Sequence, residues 1–157
     1  MKPKPLKIAR PLWNSLVVEL RRRGYGKRES GGFLLAAVGE RHVSSFICYD
    51  DLDDRALESG IITFHACGFV KLWDHCQKHG LRVVGDVHTH PGDWTGQSHS
   101  DRTHPMVAVK GHVALILPNF AAPNAEPLNG ASVYEYKGNH KWRIPRSIST
   151  LFQITDL

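Results

Sequence analysis

With 157 residues, a formal charge of +5 and 41% hydrophobic residues, the chain has the length of one domain and the composition of a folded globule. No apolar run approaches the roughly 20 residues that span a bilayer. The basic start MKPKPLKIARP lacks the apolar core and small-residue cleavage site of a secretory signal. The expectation is one domain over residues 1–157, placed in the cytoplasm with no membrane partner.

Pro11 suits a first helical position, and Leu12, Trp13, Leu16, Val17 and Leu20 recur at helical spacing until Gly24 and Gly26. The arginine run before those glycines suits a helix C-terminus. Gly31 to Val38 and His42 to Tyr49 read as two strands joined at Gly39-Glu40, followed by an acidic loop from Asp50 to Asp54. Ile61 to Phe64 reads as a short strand. Ala66 to His79 reads as a helix presenting Phe69, Leu72, Trp73 and Cys76 on one face, stopped by Gly80. Leu81 to Val87 is a mostly apolar strand that delivers His88 and His90 at its C-terminal end. Ser98 to His104 begins a short helix cut off by Pro105, and His112 to Leu117 is a buried strand. Residues 118–130 form a loop, Ala131 to Tyr136 and His140 to Ile144 a hairpin, and the tail from Pro145 is ambiguous. The sum is a mixed α+β domain with a central sheet flanked by helices.

Three cysteines, Cys48, Cys67 and Cys76, without a C-x-x-C pair argue against a disulfide framework and read as reduced, partly buried packing residues. Joining Cys67 and Cys76 with His65, His75 or His79 matches no common zinc spacing. Basic clusters at Arg21-Arg22-Arg23, Lys27-Arg28 and near the C-terminus permit contact with nucleic acid or an acidic protein. Nothing resembles a nucleic-acid module with aromatic stacking positions, so nucleic acid is not the expected partner.

The most informative stretch is His88-Thr89-His90-Pro91, followed by Ser98 and Asp101. In an extended strand residues i and i+2 point to one side, so His88 and His90 can converge on one ion. The loop Gly92-Asp93-Trp94-Thr95-Gly96-Gln97 can reverse the chain and bring Asp101 back as a third ligand. Three side chains and an open fourth position are what a catalytic zinc takes. A metallo-β-lactamase would need H-x-H-x-D-H, and the barrels of histidinol-phosphatase-type phosphoesterases and of amidohydrolases need well over 200 residues. A zinc hydrolase also needs a general base. Of the six glutamates, Glu29 stands where the chain enters the first buried strand, Glu29-Ser30-Gly31-Gly32-Phe33-Leu34-Leu35, and is modestly favoured by position.

These features together, H-x-H-P-x6-S-x2-D preceded by a glutamate entering a Gly-rich apolar strand, resemble the signature of the JAMM (JAB1/MPN/Mov34) metalloproteases. The order of elements is similar to the family domain over roughly residues 10–145. The resemblance implies an α/β/α layered, cytidine-deaminase-like JAB/MPN fold. It further implies that His88, His90 and Asp101 bind one Zn²⁺ with water as fourth ligand. Glu29 would then take that water's proton and pass it to the leaving amine, and Ser98 would hydrogen-bond the substrate carbonyl and its developing oxyanion. Pro91 and Thr89 belong to the motif as structural residues.

Family members cleave after the C-terminal tail of ubiquitin or a ubiquitin-like protein. The short chain resembles the compact bacterial branch found beside E1-like and E2-like enzymes, in operons that include antiphage systems. The implied partners are a ubiquitin-like protein and its conjugates, bound as an added strand. Trp94 either walls that groove, favouring a small residue such as glycine at the scissile bond, or packs its own loop. Maturation of a sulfur-carrier or ubiquitin-like precursor, and a non-catalytic scaffold, are the alternative functions.

Overall fold

The computed structural model describes residues 4–156. Strand β1 (Leu6–Ala9) leads directly into helix α1 (Arg10–Gly24), which has proline in its first turn and Arg21, Arg22 and Arg23 in its last. The helix ends at Tyr25, whose left-handed backbone (φ 54°) lets its N–H reach the Arg21 carbonyl. Then follow β2 (Gly31–Ala37), β3 (His42–Val43), β4 (Ser45–Cys48), the single-turn α2 (Tyr49–Leu52) and α3 (Ala66–His79), which stops at Gly80 with φ 64°. Strand β5 (Leu81–Thr89), α4 (His99–Thr103), β6 (Val113–Leu117), β7 (Ser132–Gly138), β8 (Lys141–Arg143) and β9 (Phe152–Thr155) complete the chain.

Six strands form the main sheet in the order β4-β2-β5-β6-β7-β8. Only β5 and β6 pair in parallel, so the sheet is mixed. A smaller parallel sheet, β3-β1-β9, stands beside it. Alternate side chains of β2 feed two cores on opposite faces. Leu34 and Ala36 join Trp13, Leu16 and Leu20 of α1. Phe33 and Leu35 join Leu72 and Cys76 of α3 and the buried Tyr49. Helices therefore cover both faces of a mixed sheet, the α+β layering expected. Among the described residues no helix is long and apolar enough to cross a membrane.

Several elements depart from expectation. The stretch 42–49 splits at Ser44, and its two halves enter different sheets. Asp50 and Asp51 sit in the first turn of α2 rather than a loop, where they favour the helix dipole and receive Arg23 Nη1 at 2.9 and 2.7 Å. Ile61 to Phe64 is irregular, because its neighbours bind turns rather than a ladder: Thr63 N–H donates to Ala56 O at 3.0 Å and Glu29 N–H to Gly60 O at 2.9 Å. Trp73 is 45% exposed instead of facing the core, and Cys67 is exposed while Cys48 and Cys76 are buried. Buried Leu6, Ile8, Leu151 and Phe152 extend the packed core beyond residues 10–145 at both ends. Parallel pairing of β1 with β9 joins segments more than 140 residues apart, which no local pattern encodes.

Candidate metal centre

The register of β5 decides where its histidines point. Leu34 pairs with Gly85 and Leu35 with Val83, so Val84 is an extra residue in a β-bulge. Before the bulge, Val83 packs toward α3. After it, Val84 and Val87 belong to the α1 core, and a side chain built on Gly85 would meet Leu6 and Leu34 there. The re-phased alternation turns Asp86, His88 and His90 toward the α3 side, where all three line a cavity of about 990 Å³. Without the extra residue the two imidazoles would point into the α1 core.

Gly31 lies opposite His88 in the sheet. A Cβ there would collide with the Tyr49 ring and come within 2.7 Å of the Val87 carbonyl and 3.0 Å of His88 Cβ. The glycine-rich entry to β2 thus provides room for the first imidazole and the tyrosine beside it.

Asp101 is delivered by a helix start. Its N–H donates to Ser98 Oγ at 3.0 Å and its Oδ2 accepts from the Ser98 N–H at 2.9 Å, a reciprocal capping box at α4. The loop between is fixed by buried links: Tyr134 OH donates to Thr95 O at 2.9 Å, and Thr95 Oγ1 donates to Gly130 O at 2.9 Å. A turn at Asn119, Phe120 and Ala121, with three consecutive left-handed residues (φ 55°, 52° and 60°), clips its other side. Phe120 N–H donates to His90 O at 2.9 Å and Asn119 N–H to Gly92 O at 3.0 Å. Left-handed non-glycine residues carry strain of about 1–3 kcal/mol each and cluster where surrounding structure holds a functional site in place.

His88 Nε2 and His90 Nε2 stand 3.2 Å apart. Asp101 presents Oδ1 at 3.6 Å from the first and Oδ2 at 3.4 Å from the second. A tetrahedral ion with ligand bonds of about 2.0–2.2 Å separates its donor atoms by roughly 3.3–3.6 Å, so the two imidazoles stand close to one edge of such a site with a carboxylate oxygen facing each. The His90 Nδ1–H donates to the Trp94 carbonyl at 3.1 Å, which fixes the tautomer and leaves Nε2 free as a donor to metal. His88, His90 and Asp101 can therefore hold a metal ion, with their ligand atoms all within 4.8 Å of one another.

The electrostatics of the metal-free cluster are those of a cation site. Burial raises the Asp101 carboxyl, but hydrogen bonds from His88 and His90 outweigh it and hold the group well below its ordinary value. Burial opposes protonation of His90, yet the Asp101 carboxylate, the Trp94 carbonyl and the Glu29 charge together raise its pKa. Metal must displace a proton from His90 Nε2 over a pH range where an ordinary histidine is already neutral. Apparent metal affinity is accordingly expected to fall as pH drops, by about tenfold per pH unit for each proton displaced. Zinc titrations by calorimetry between pH 5.5 and 8 check this; a pH-independent affinity contradicts it.

The structure brings the other expected residues to the same place. Glu29, Ser98 and Trp94 all line the cavity. Burial raises the Glu29 carboxyl above its ordinary value, with Asp101 adding to the rise and the His88 and His90 charges and an Ile62 N–H opposing it. Ser98 Oγ accepts the Asp101 N–H, which leaves its own proton free to donate outward. The Trp94 ring stacks on His90 (centroids 5.4 Å, 21°) and lies against Gly96, so it walls the cavity and packs its loop at once.

Three cavity or underlying residues, Tyr49, Asp86 and His112, were not among the expected site residues. Tyr49 is fully buried, its hydroxyl meets no hydrogen-bond partner among the described residues, and burial pushes its pKa well above the ordinary value. Asp86 faces the cavity and bonds His112 Nε2 at 3.0 Å, both side chains nearly fully buried. Asp86 stands two residues before His88, and the same i, i+2 spacing that singled out the histidines would have found it.

No family model matches the chain. Among solved structures it is similar to a protein from Desulfitobacterium hafniense, with a TM-score of 0.65 at 13% identity, covering 97% of this chain and 94% of that one. It is similar to a protein from Salinibacter ruber, with a TM-score of 0.59 at 19% identity over 89% of this chain and 88% of that one. A JAB1/MPN domain protein from Archaeoglobus fulgidus aligns with a TM-score of 0.49 at 18% identity over 87% of this chain and 93% of that one. At these identities the first two likenesses concern the fold alone.

Proposed function

We propose that the chain is a JAMM-type zinc isopeptidase that cleaves after the C-terminal tail of a ubiquitin-like protein. The observation that carries this reading is the convergence of His88 Nε2 and His90 Nε2, 3.2 Å apart, on one carboxylate, with Asp101 Oδ1 3.6 Å from the first and Oδ2 3.4 Å from the second. The chemistry an ion supplies there is Lewis-acid polarisation of a substrate carbonyl and acidification of a water. Glu29, half-buried beside that position, takes the proton of the attacking water and returns it to the leaving amine. A carboxylate that lines the cavity without belonging to the donor cluster is placed for both halves of that exchange. Ser98 donates its free hydroxyl proton to the carbonyl oxygen as negative charge develops. His90 and Asp101 are held by Trp94 and by the capping box, so the donors need no rearrangement.

The proposed substrate is an extended tail, the proposed partners are a ubiquitin-like protein, its conjugates and the E1-like and E2-like enzymes that make them, and the proposed compartment is the cytoplasm. The complete donor set with an adjoining base weighs against a non-catalytic scaffold. Zinc-loaded protein incubated with a lysine-linked conjugate and with a tail-extended precursor tests the reading. Release of the modifier from the conjugate is the expected result. Cleavage of the precursor alone makes the enzyme a maturation protease, and cleavage of neither substrate removes the proposal.

A further inference from the structure

The cavity at the metal donors continues into a basin larger than a glycine tail requires. Ile61, Ile62, Phe64, Phe69, Met106 and Trp142 form its walls, and they belong to the same cavity of about 990 Å³ as His88, His90 and Asp101. A volume near the upper end of small-molecule sites leaves room for a bulky group beside the reacting amide. The walls are set before any ligand arrives. Phe64 and Phe69 meet edge-to-face at 4.7 Å, Phe64 also packs on Phe33 at 5.2 Å, and Trp142 is held by donation from its Nε1 to Arg102 O at 3.1 Å. Glu29, Asp86 and Asp101 contribute carboxylates to the lining and His88, His90, His99 and His104 contribute imidazoles, and among the described residues no lysine or arginine lines the cavity. A substrate whose own carboxylate ended there would lack a guanidinium or ammonium clamp and would meet three acids.

We propose that this basin is a specificity pocket that holds a bulky, uncharged apolar side chain of a peptide segment running through the site, within one or two residues of the scissile amide. The proposal rests on the reading above for the position of that amide. It defines the substrate class more narrowly: an internal or isopeptide-linked segment bearing a large aliphatic or aromatic residue, rather than a free C-terminal acid or a tail of glycine alone. Trp94 then confines the segment on the His90 side while the basin selects on the other.

Binding to metal-free protein, followed through the fluorescence of the cavity tryptophans, tests the pocket without catalysis. The probes are three: acetyl-Gly-Phe-Gly-amide, acetyl-Gly-Gly-Gly-amide and acetyl-Gly-Phe with a free carboxylate. Burial of one phenylalanine side chain predicts about tenfold to a hundredfold tighter binding of the first probe than of the second. The free acid is expected to bind more weakly than the blocked phenylalanine peptide. Met106→Trp, which fills the basin, and Ile61→Glu, which places an acid at a rim position 62% exposed, should each remove most of the phenylalanine advantage. Both variants should still bind zinc as the parent protein does. Equal binding of the phenylalanine and glycine peptides, or an advantage undiminished in both variants, overturns the pocket. A clear phenylalanine preference with no cleavage of the lysine-linked conjugate or the tail-extended precursor by zinc-loaded protein would keep the pocket and overturn the isopeptidase reading, so the two fail separately.

Discussion

Replacing His88 by alanine is expected to abolish metal binding and hydrolysis together while leaving the fold in place. The side chain occupies one vertex of the donor triangle, and no other histidine or cysteine among the described residues forms a cluster with His90 and Asp101 that could substitute for it. Its loss leaves two donors. Removing only a hydrogen-bond partner of a ligand costs roughly 10–100-fold in affinity, so losing the ligand itself should cost more than a hundredfold. Asp101→Asn is the sharper companion. Asparagine retains an oxygen to accept the Ser98 N–H, so α4 keeps its cap, but the charge that draws in a cation is gone. The expected outcome is a native circular dichroism spectrum with sub-stoichiometric zinc by elemental analysis. Full zinc occupancy in either variant would place the ion elsewhere and falsify the ligand assignment.

How much of this site the sequence disclosed depends on how local each cause is. The helix over Ala66–His79 and its stop at Gly80 follow from 3.6-residue periodicity and a left-handed cap, and both were legible. So was Ser98 opening a helix with Asp101 at its third position, because a capping box is written in adjacent residues. The convergence of His88 and His90 was legible as an i, i+2 pair, but the face they share was not. That face depends on a bulge at Val84, created by pairing with a strand some fifty residues away. The apolar basin was equally hidden, since Phe64, Met106 and Trp142 come from three distant segments whose only common feature is the cavity. Ile61 to Phe64 looked like a strand because its residues favour one, yet no sheet edge receives it and its contacts go instead to the aromatic cluster and to Glu29. The left-handed turn at Asn119 to Ala121 has no glycine to announce it. Positional reasoning nonetheless placed Glu29 at the right mouth, because a residue preceding a glycine-rich core strand must sit where that strand's end opens.

Glu29→Gln should lower cleavage by about 10²–10⁴-fold while zinc remains bound at one equivalent, because the carboxylate lies outside the donor cluster and only proton transfer is lost. The pH dependence distinguishes this role from a structural one. Glu29 must be ionised to accept a proton, and burial sets its pKa above that of an ordinary carboxylate. Activity of the parent protein should therefore rise with pH as this carboxyl ionises, and the residual activity of the glutamine variant should lose that limb. Stability moves in the opposite direction. A carboxyl whose folded pKa exceeds its unfolded value ionises first in the unfolded chain, so as pH rises from the ordinary carboxylate value through the raised one, the parent protein loses stability. Glutamine carries no such penalty, and Glu29→Gln should melt higher than the parent near pH 7, with the difference fading under acid conditions. A variant that is inactive but more stable at neutral pH is the signature of a base kept in an unfavourable setting for its chemistry. An inactive variant that melts lower at every pH would instead make Glu29 a support for the segment Gly60–Ile62, and the base would have to be sought among the other acids of the cavity.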